Sequence, residues 1–411
     1  MPLRSKTLFY SLGYLILSLL LFSREPDVLL HAQFWGEDGW FWFPDAYHYG
    51  ISSLYLPHTG YLQTDDRIVA FSSLLLPLRD IPTLFAVMAF FFQWLPCAFL
   101  LSPRCKNLFP STIFRFFIAT LVCLIPNSWE VYVNLTNSQW HLAFLALLIV
   151  CSAPPRSIAD KLFDISFLIL SGLSGPFCLF LLPVAFLRTA IERSSTNITR
   201  FCIVMSTAII QCTTILLTGE RTHMLPNLGA SPSKFTQILG GPLFLSPVIG
   251  RDHIKQLELL HSWQTGWLPW GITLVGLLLC LYAFQKISAL RLPLIFATIV
   301  LTAGLTHPAG SSTTAWDAFL VPNTGMRYFY IPLCIWIITL ATLTFKGSIP
   351  IRFTSGLILF CALSFGFRRD WHYPKENDRG FTERANYFDT ALLGTIVTLP
   401  IRPGTFVTIT K

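Results

Sequence analysis

Two adjacent acid pairs stand out in a chain otherwise poor in charge. One is Glu37-Asp38, set in Trp35-Gly36-Glu37-Asp38-Gly39-Trp40; the other is Asp65-Asp66, followed by Arg67. A carboxylate within hydrogen-bond reach of a hydroxyl can take its proton as that hydroxyl attacks an electrophile. Gly36 and Gly39 let backbone approach a bulky substrate. Trp35, Trp40 and Trp42 can stack on sugar faces or sit at a lipid interface. The same residues also fit an ordinary solvated loop with interfacial tryptophans. Asp65-Asp66 can bind a divalent cation through oxygen ligands, or can pair with Arg67 and shape the loop. Shaping or substrate positioning by Asp66 and Arg67 is the preferred reading. A divalent cation stays open and no metal ligand is assigned.

A second polar cluster comprises Glu130, Asn134, Asn137, Gln139, Trp140 and His141. It lies between short apolar runs, which points to a cavity at membrane depth, where polar groups persist only against protein or water. A satisfied turn anchored by Trp140 would read the same way. Further along, Gly325-Met326-Arg327-Tyr328-Phe329-Tyr330 opens an apolar run. An arginine there can grip a phosphate bidentately, or simply snorkel from a helix end. Arg221, His223, Arg251, His253 and His307 are additional polar candidates. Asn134-Leu-Thr and Asn197-Ile-Thr match the glycosylation acceptor pattern, a weak three-residue signal. No Walker loop, GxSxG or HExxH occurs.

The elements that must position these groups are hydrocarbon-seeking. Of 411 residues, 53% are hydrophobic and 12% charged, against roughly 25% charged in average soluble domains. Apolar runs near 7–23, 83–102, 113–126, 139–153, 162–174, 176–188, 201–218, 267–285, 293–306, 327–345 and 353–367 predict an all-α polytopic membrane protein of about eleven transmembrane helices. The 162–188 region reads as one long span or as a hairpin broken at Gly172, Gly175 and Pro176. Charge arbitrates. With the N-terminus in the cytoplasm and the hairpin kept, only Asp160, Asp164 and Glu192 of the twenty-one acids fall inside. Fourteen basic residues join them, as the positive-inside bias requires. The net charge of +8 is therefore loop bias, and no nucleic-acid partner is expected. The ten cysteines read as buried free thiols. The run at 7–23 reads as a retained first span.

This arithmetic sends the polar mass outward. The expected layout is a transmembrane domain over 1–367, with extracytoplasmic loops at 24–82 and 219–266, and a short extracytoplasmic tail at 368–411. Residues 44–56 predict one interfacial helix opened by Pro44 and ended by Pro57. Ile68–Leu78 is too short to cross and predicts a half-span. The alternation in 395–401 and 405–410 around Arg402-Pro403-Gly404 predicts a small β-hairpin cap.

A short cytoplasmic stub, one span, then Trp35-Gly36-Glu37-Asp38-Gly39 and an amphipathic 44–56 in a large outer loop, with Arg327-Tyr328 opening a later span, resembles the GT-C glycosyltransferase fold. The layout is similar to that of bacterial enzymes that decorate surface polysaccharide, such as serotype-converting O-antigen glucosyltransferases. The resemblance implies a polyprenyl-phosphate sugar donor, a glycan acceptor and inverting transfer at the periplasmic face of the bacterial inner membrane. It makes Asp38 or Glu37 the general base and Arg327 the partner of the donor phosphate. Asp66, Arg67, Glu130, Asn134, Asn137, Trp140, His307 and Tyr328 are the expected substrate-binding residues. A transporter or flippase for a lipid-linked glycan is the competing reading. It should show polar breaks near mid-membrane in related halves, and the polar residues gather at one face instead.

Overall fold

The computed structural model describes residues 3–220, 227–257, 259–308, 314–321, 323–373 and 379–411. A helix occupies each apolar run: α1 Leu3–Phe22, α2 Ile81–Leu101, α3 Thr112–Cys123, α4 Ser138–Cys151, α5 Ile158–Gly172, α6 Phe177–Ile191, α7 Ser195–Thr218, α8 Trp267–Lys286, α9 Ser288–Thr306, α10 Arg327–Lys346 and α11 Ile349–Cys361. The chain is a polytopic membrane protein, nearly all helical. Among the described residues, six helices are long and apolar enough to cross a bilayer, and several others are apolar but shorter.

Local chemistry sets the helix boundaries. Ser157 and Asp160 form a capping box at the start of α5, satisfying backbone donors that a helix start leaves open. Ser194 caps α7 and Ser111 caps α3. Gly219 ends α7 in the left-handed conformation. Between α5 and α6 the chain breaks over 173–176, so the hairpin is the form adopted. There the Gly175 N–H donates to Leu62 O. Gly175 has φ +79°, a conformation in which any other residue is strained, and a Cβ on it would fall 2.0 Å from Gln139 Oε1 and force that side chain to move.

Two helices form the centre. Every residue of α4 is buried, and α10 is nearly as enclosed. His141 joins them. Its Nε2 lies 2.7 Å from Val131 O, which can only accept, so Nδ1 accepts from the Tyr330 hydroxyl at 2.8 Å. By contrast α7, α8 and α11 expose most of their apolar surface, including Ile209, Leu216, Leu277 and Phe360. Such rings of exposed hydrocarbon suit lipid.

The region after α11 returns to the loop after α1. Arg24, 1% exposed, donates to the carbonyls of Cys123, Ile125 and Asp370, and its guanidinium lies 4.4 Å from the Tyr373 ring centre. A tail helix, Phe381–Thr390, places Phe381 edge-on to Phe34 at 5.4 Å and Phe388 against Tyr47 at 5.7 Å. The expected hairpin forms: β1 Ile396–Ile401 pairs antiparallel with β2 Thr405–Thr410. The predicted helix over 44–56 needs correction. It is a seven-residue α-helix at Phe43–Tyr49 followed by a 3-10 segment at Gly50–Tyr55, broken where Gly50 adopts φ +55°. The predicted half-span is a ten-residue helix, Thr64–Ser73. All ten cysteines are free; six are buried as expected, Cys280 and Cys361 are half-buried, and Cys202 and Cys212 are exposed.

Candidate active site

A cavity of about 370 Å³ opens where the segments between α1 and α2 meet the ends of the bundle. Glu37, Trp42, His58, Tyr61 and Gln63 come to it from the first loop. Thr136, Asn137, Gln139 and Trp140 come from the start of α4, and His307, Arg327 and Tyr328 from the end of α9 and the start of α10. Phe177, Leu179, Phe180, Ile215 and Ala303 make an apolar wall. Of the residues expected from sequence, Glu37, Asn137, Trp140, His307, Arg327 and Tyr328 meet here.

The acid pair divides its labour. A tight turn over 35–39, in which Asp38 N and Gly39 N donate back to Trp35 O and Gly36 O, leaves Glu37 on the cavity wall. Asp38 is 3% exposed and points behind that wall. Its Oδ1 accepts from Thr136 N at 2.9 Å and from the Thr136 hydroxyl at 2.7 Å. The same hydroxyl accepts from Trp42 Nε1 at 2.9 Å. Burial pushes the Asp38 carboxyl up to about 7, against the Thr136 hydrogen bonds that oppose the rise. Asp38 thus fastens the Glu37 turn and Trp42 to α4. Thr136 was visible in sequence only as the third residue of a glycosylation pattern. Asn134 and Asn197 of the two such patterns are both buried.

Asp66, Arg67 and Asn134 do not reach the cavity, which corrects the expectation of direct substrate contact there. Arg67, 2% exposed, pairs with Asp45 at 2.6 Å, not with Asp66, and its guanidinium lies 4.8 Å from the Trp42 ring centre. It supports the wall from behind. Asn134 donates to Glu130 O at 2.8 Å and accepts from Asn137 N at 3.0 Å, holding the turn before α4. Asp65 and Asp66 are buried in the first turn of the 64–73 helix, and none of their four carboxylate oxygens has a hydrogen-bond partner. Burial raises Asp65 to about 7 and lifts Asp66 well above the ordinary carboxylate range, helped by the neighbouring Asp65 charge. His58 is lowered to about 4, first by burial and then by Arg67. It is therefore neutral at pH 7 and sits 4.9 Å from the Trp42 ring centre.

Glu130 meets Arg327 instead of the main cavity. Its Oε2 accepts from Arg327 N at 3.0 Å, and its Oε1 pairs with the guanidinium. Glu130 also lines a second cavity of about 270 Å³, with Phe319, Asn323 and Thr324, and Arg327 and Tyr328 border both spaces. Arg251 is buried beside Tyr373 and its N–H donates to Asp370, a structural place. Arg221 and His223 lie outside the described residues.

Sequence reasoning missed His58, Tyr61 and Gln63. His58 and Tyr61 are set by a local turn in which they exchange backbone hydrogen bonds, and Gln63 is placed by a long-range bridge to Ser174. The largest omission is Arg402. Its N–H donates to Phe34 O and its carbonyl accepts from Gly36 N, bracketing Trp35 one turn before Glu37. Arg402 Nη2 pairs with Glu25 at 2.6 Å, both side chains buried. Ile401 packs so closely on Gly39 that a Cβ there would meet it at 2.6 Å. No local pattern links residues 377 apart. No protein-family model matches this chain, and no curated protein matches it either.

Proposed function

We propose that this protein is a membrane-embedded glycosyltransferase. It moves a hexose such as glucose from a polyprenyl-phosphate carrier to a hydroxyl of a surface glycan such as O-antigen, with inversion, at the periplasmic face of the bacterial inner membrane. The observation that carries this reading is the composition of one cavity: a single carboxylate, Glu37, a guanidinium, Arg327, flat aromatic faces and an apolar wall together. In this mechanism the acceptor oxygen attacks the anomeric carbon as the bond to the phosphate oxygen breaks. The acceptor proton passes to Glu37. Arg327 meets the negative charge that grows on the departing phosphate. Trp42, Trp140 and Tyr328 hold the reactants in line, which supplies much of the rate. Phe177, Leu179, Phe180 and Ile215 suit the first isoprene units.

The layout supports the same reading. All eleven helices are taken as spans, with the N-terminus inside and the C-terminus outside. Arg24 and Glu25 touch residues 370–373 and 402, so the first loop and the tail share a face. That requires an even number of crossings between them, and α2 to α11 give ten. Merging α5 and α6 would give nine. A cation has only partial support. The bare Asp65 and Asp66 oxygens are chemically suited to a hard divalent ion, yet no three acidic, histidine or cysteine side chains converge on a metal position among the described residues. No step above needs one.

The test is to incubate purified protein with polyprenyl-phosphate glucose and an O-antigen acceptor and to measure release of the lipid phosphate. Wild type should release it and Glu37→Gln should not. Movement of intact donor across a vesicle membrane without release would sink this reading in favour of a transporter.

A further inference from the structure

Arg327 is the first residue of the twenty-residue helix α10. Its N–H is one of the open donors at that helix start, and its guanidinium lies beside it. Together they form an anion cradle, charge-assisted and bidentate. In this structure the cradle is filled from within the protein, because both Glu130 oxygens occupy it. The two partners differ in exposure: the Arg327 side chain is 29% exposed, the Glu130 side chain 13%. The cation is the accessible member, open to the main cavity, while Glu130 has the second cavity at its back.

The main chain of Glu130 cannot follow a displaced side chain. Asn134 and Asn137 both donate to its carbonyl, at 2.8 and 2.9 Å. Its carboxylate, on three rotatable bonds, can swing into the second cavity while the loop stays put. We propose that Glu130 is a resident anion that the phosphate of a lipid-linked ligand displaces from Arg327, and that returns to expel the phosphate after transfer. This rests on the donor reading above for the identity of the ligand. Its physical merit is that Arg327 keeps an anionic partner throughout: one anion exchanges for another, and the displaced Glu130 carboxylate is left to the second cavity, beside Asn323 and Thr324. It also answers a problem of release. Loss of the sugar turns a phosphodiester into a monoester of greater negative charge, which Arg327 would hold more tightly than the donor. A competing carboxylate offsets that.

The test is titration of purified wild type, Glu130→Gln, Glu130→Asp and Arg327→Gln with a short-chain polyprenyl phosphate in detergent, with inorganic phosphate as a parallel probe. Glu130→Gln should bind the lipid phosphate about tenfold more tightly, the order of one lost charge-assisted competitor. In turnover it should show correspondingly stronger product inhibition. Glu130→Asp, which keeps the charge on a shorter arm, should fall between, and Arg327→Gln should lose binding. Adding Arg327→Gln to Glu130→Gln should abolish the gain, which separates it from lipid adsorbed by misfolded protein. Equal or weaker binding by Glu130→Gln would overturn the proposal, leaving Glu130 as a fastener of Arg327. Equal affinity for inorganic phosphate would overturn the lipid assignment. Wild type that binds lipid phosphate in this way but transfers no sugar would leave the exchange standing and remove the glycosyltransferase reading.

Discussion

Asp164 and the Asp65-Asp66 pair are equally hidden from solvent, yet they are furnished in opposite ways. Asp164 takes Arg104 on both oxygens, at 2.9 and 2.8 Å, and Arg200 on Oδ2 at 2.7 Å. The remaining donors of these arginines go to the Ser152 hydroxyl and to the Ser152 and Ala153 carbonyls. That knot ties the ends of α2 and α4 to the starts of α5 and α7. Asp65 and Asp66 have no hydrogen-bond partner on any carboxylate oxygen. A satisfied buried network fastens a fold, and an unsatisfied one costs stability. The molecule keeps its complete network away from the main cavity and places its incomplete acids behind the wall that carries Glu37.

Four measurements would break or sharpen this contrast. Asp164→Ala should be the most damaging, leaving two arginines facing each other, at about 3–5 kcal/mol. Thermal unfolding in detergent reads it, and a wild-type melting profile would show that the knot fastens nothing. Glu37→Gln should lower sugar transfer by about a hundredfold or more while melting like wild type. Arg402→Lys keeps the charge but not the planar fork. It should lower turnover by about tenfold, one hydrogen bond's worth of misplaced geometry, with the donor KM nearly unchanged. A change in KM alone would place Arg402 in binding instead.

The smallest effect concerns pH. The folded Asp65 carboxyl titrates near 7, against 3.8 ordinarily. Between those values the folded state holds a proton that the unfolded chain has lost. Stability therefore falls as pH rises through that window. Asp65→Asn should remove the Asp65 share of this slope, leaving that of Asp38 and Asp66, and melt higher than wild type at pH 8 by a margin that narrows towards pH 5. A parallel pair of melting curves would mean that the Asp65 charge is compensated.

What the sequence made legible was local. Hydrocarbon runs marked the helices α1 to α11, because that signal lies within about twenty neighbouring residues. The aromatic stretch around Glu37 and the Arg327-Tyr328 start were visible for the same reason. Gly50 is legible too as a residue that weakens a helix, and the helix expected over 44–56 divides there. Which acid of the 37–38 pair faces the cavity was not legible. That is decided by Thr136, about a hundred residues on, and by the turn at Gly36. Nor was the pairing of Glu130 with Arg327, since either residue alone reads as an exposed polar group near a span. Such choices depend on which distant segment arrives, and sequence separation hides them.

The bracket that Arg402 places around Trp35 has a consequence for how the molecule is made. Residues 25–40 emerge from the ribosome early, and their backbone partners come more than 360 positions later. A chain interrupted between Tyr328 and Arg402 would possess every residue of the cavity wall and still lack the clasp behind Glu37. Synthesis and competence are thereby separated in time, and a nascent or clipped copy in the membrane would remain inert until its far end had folded back.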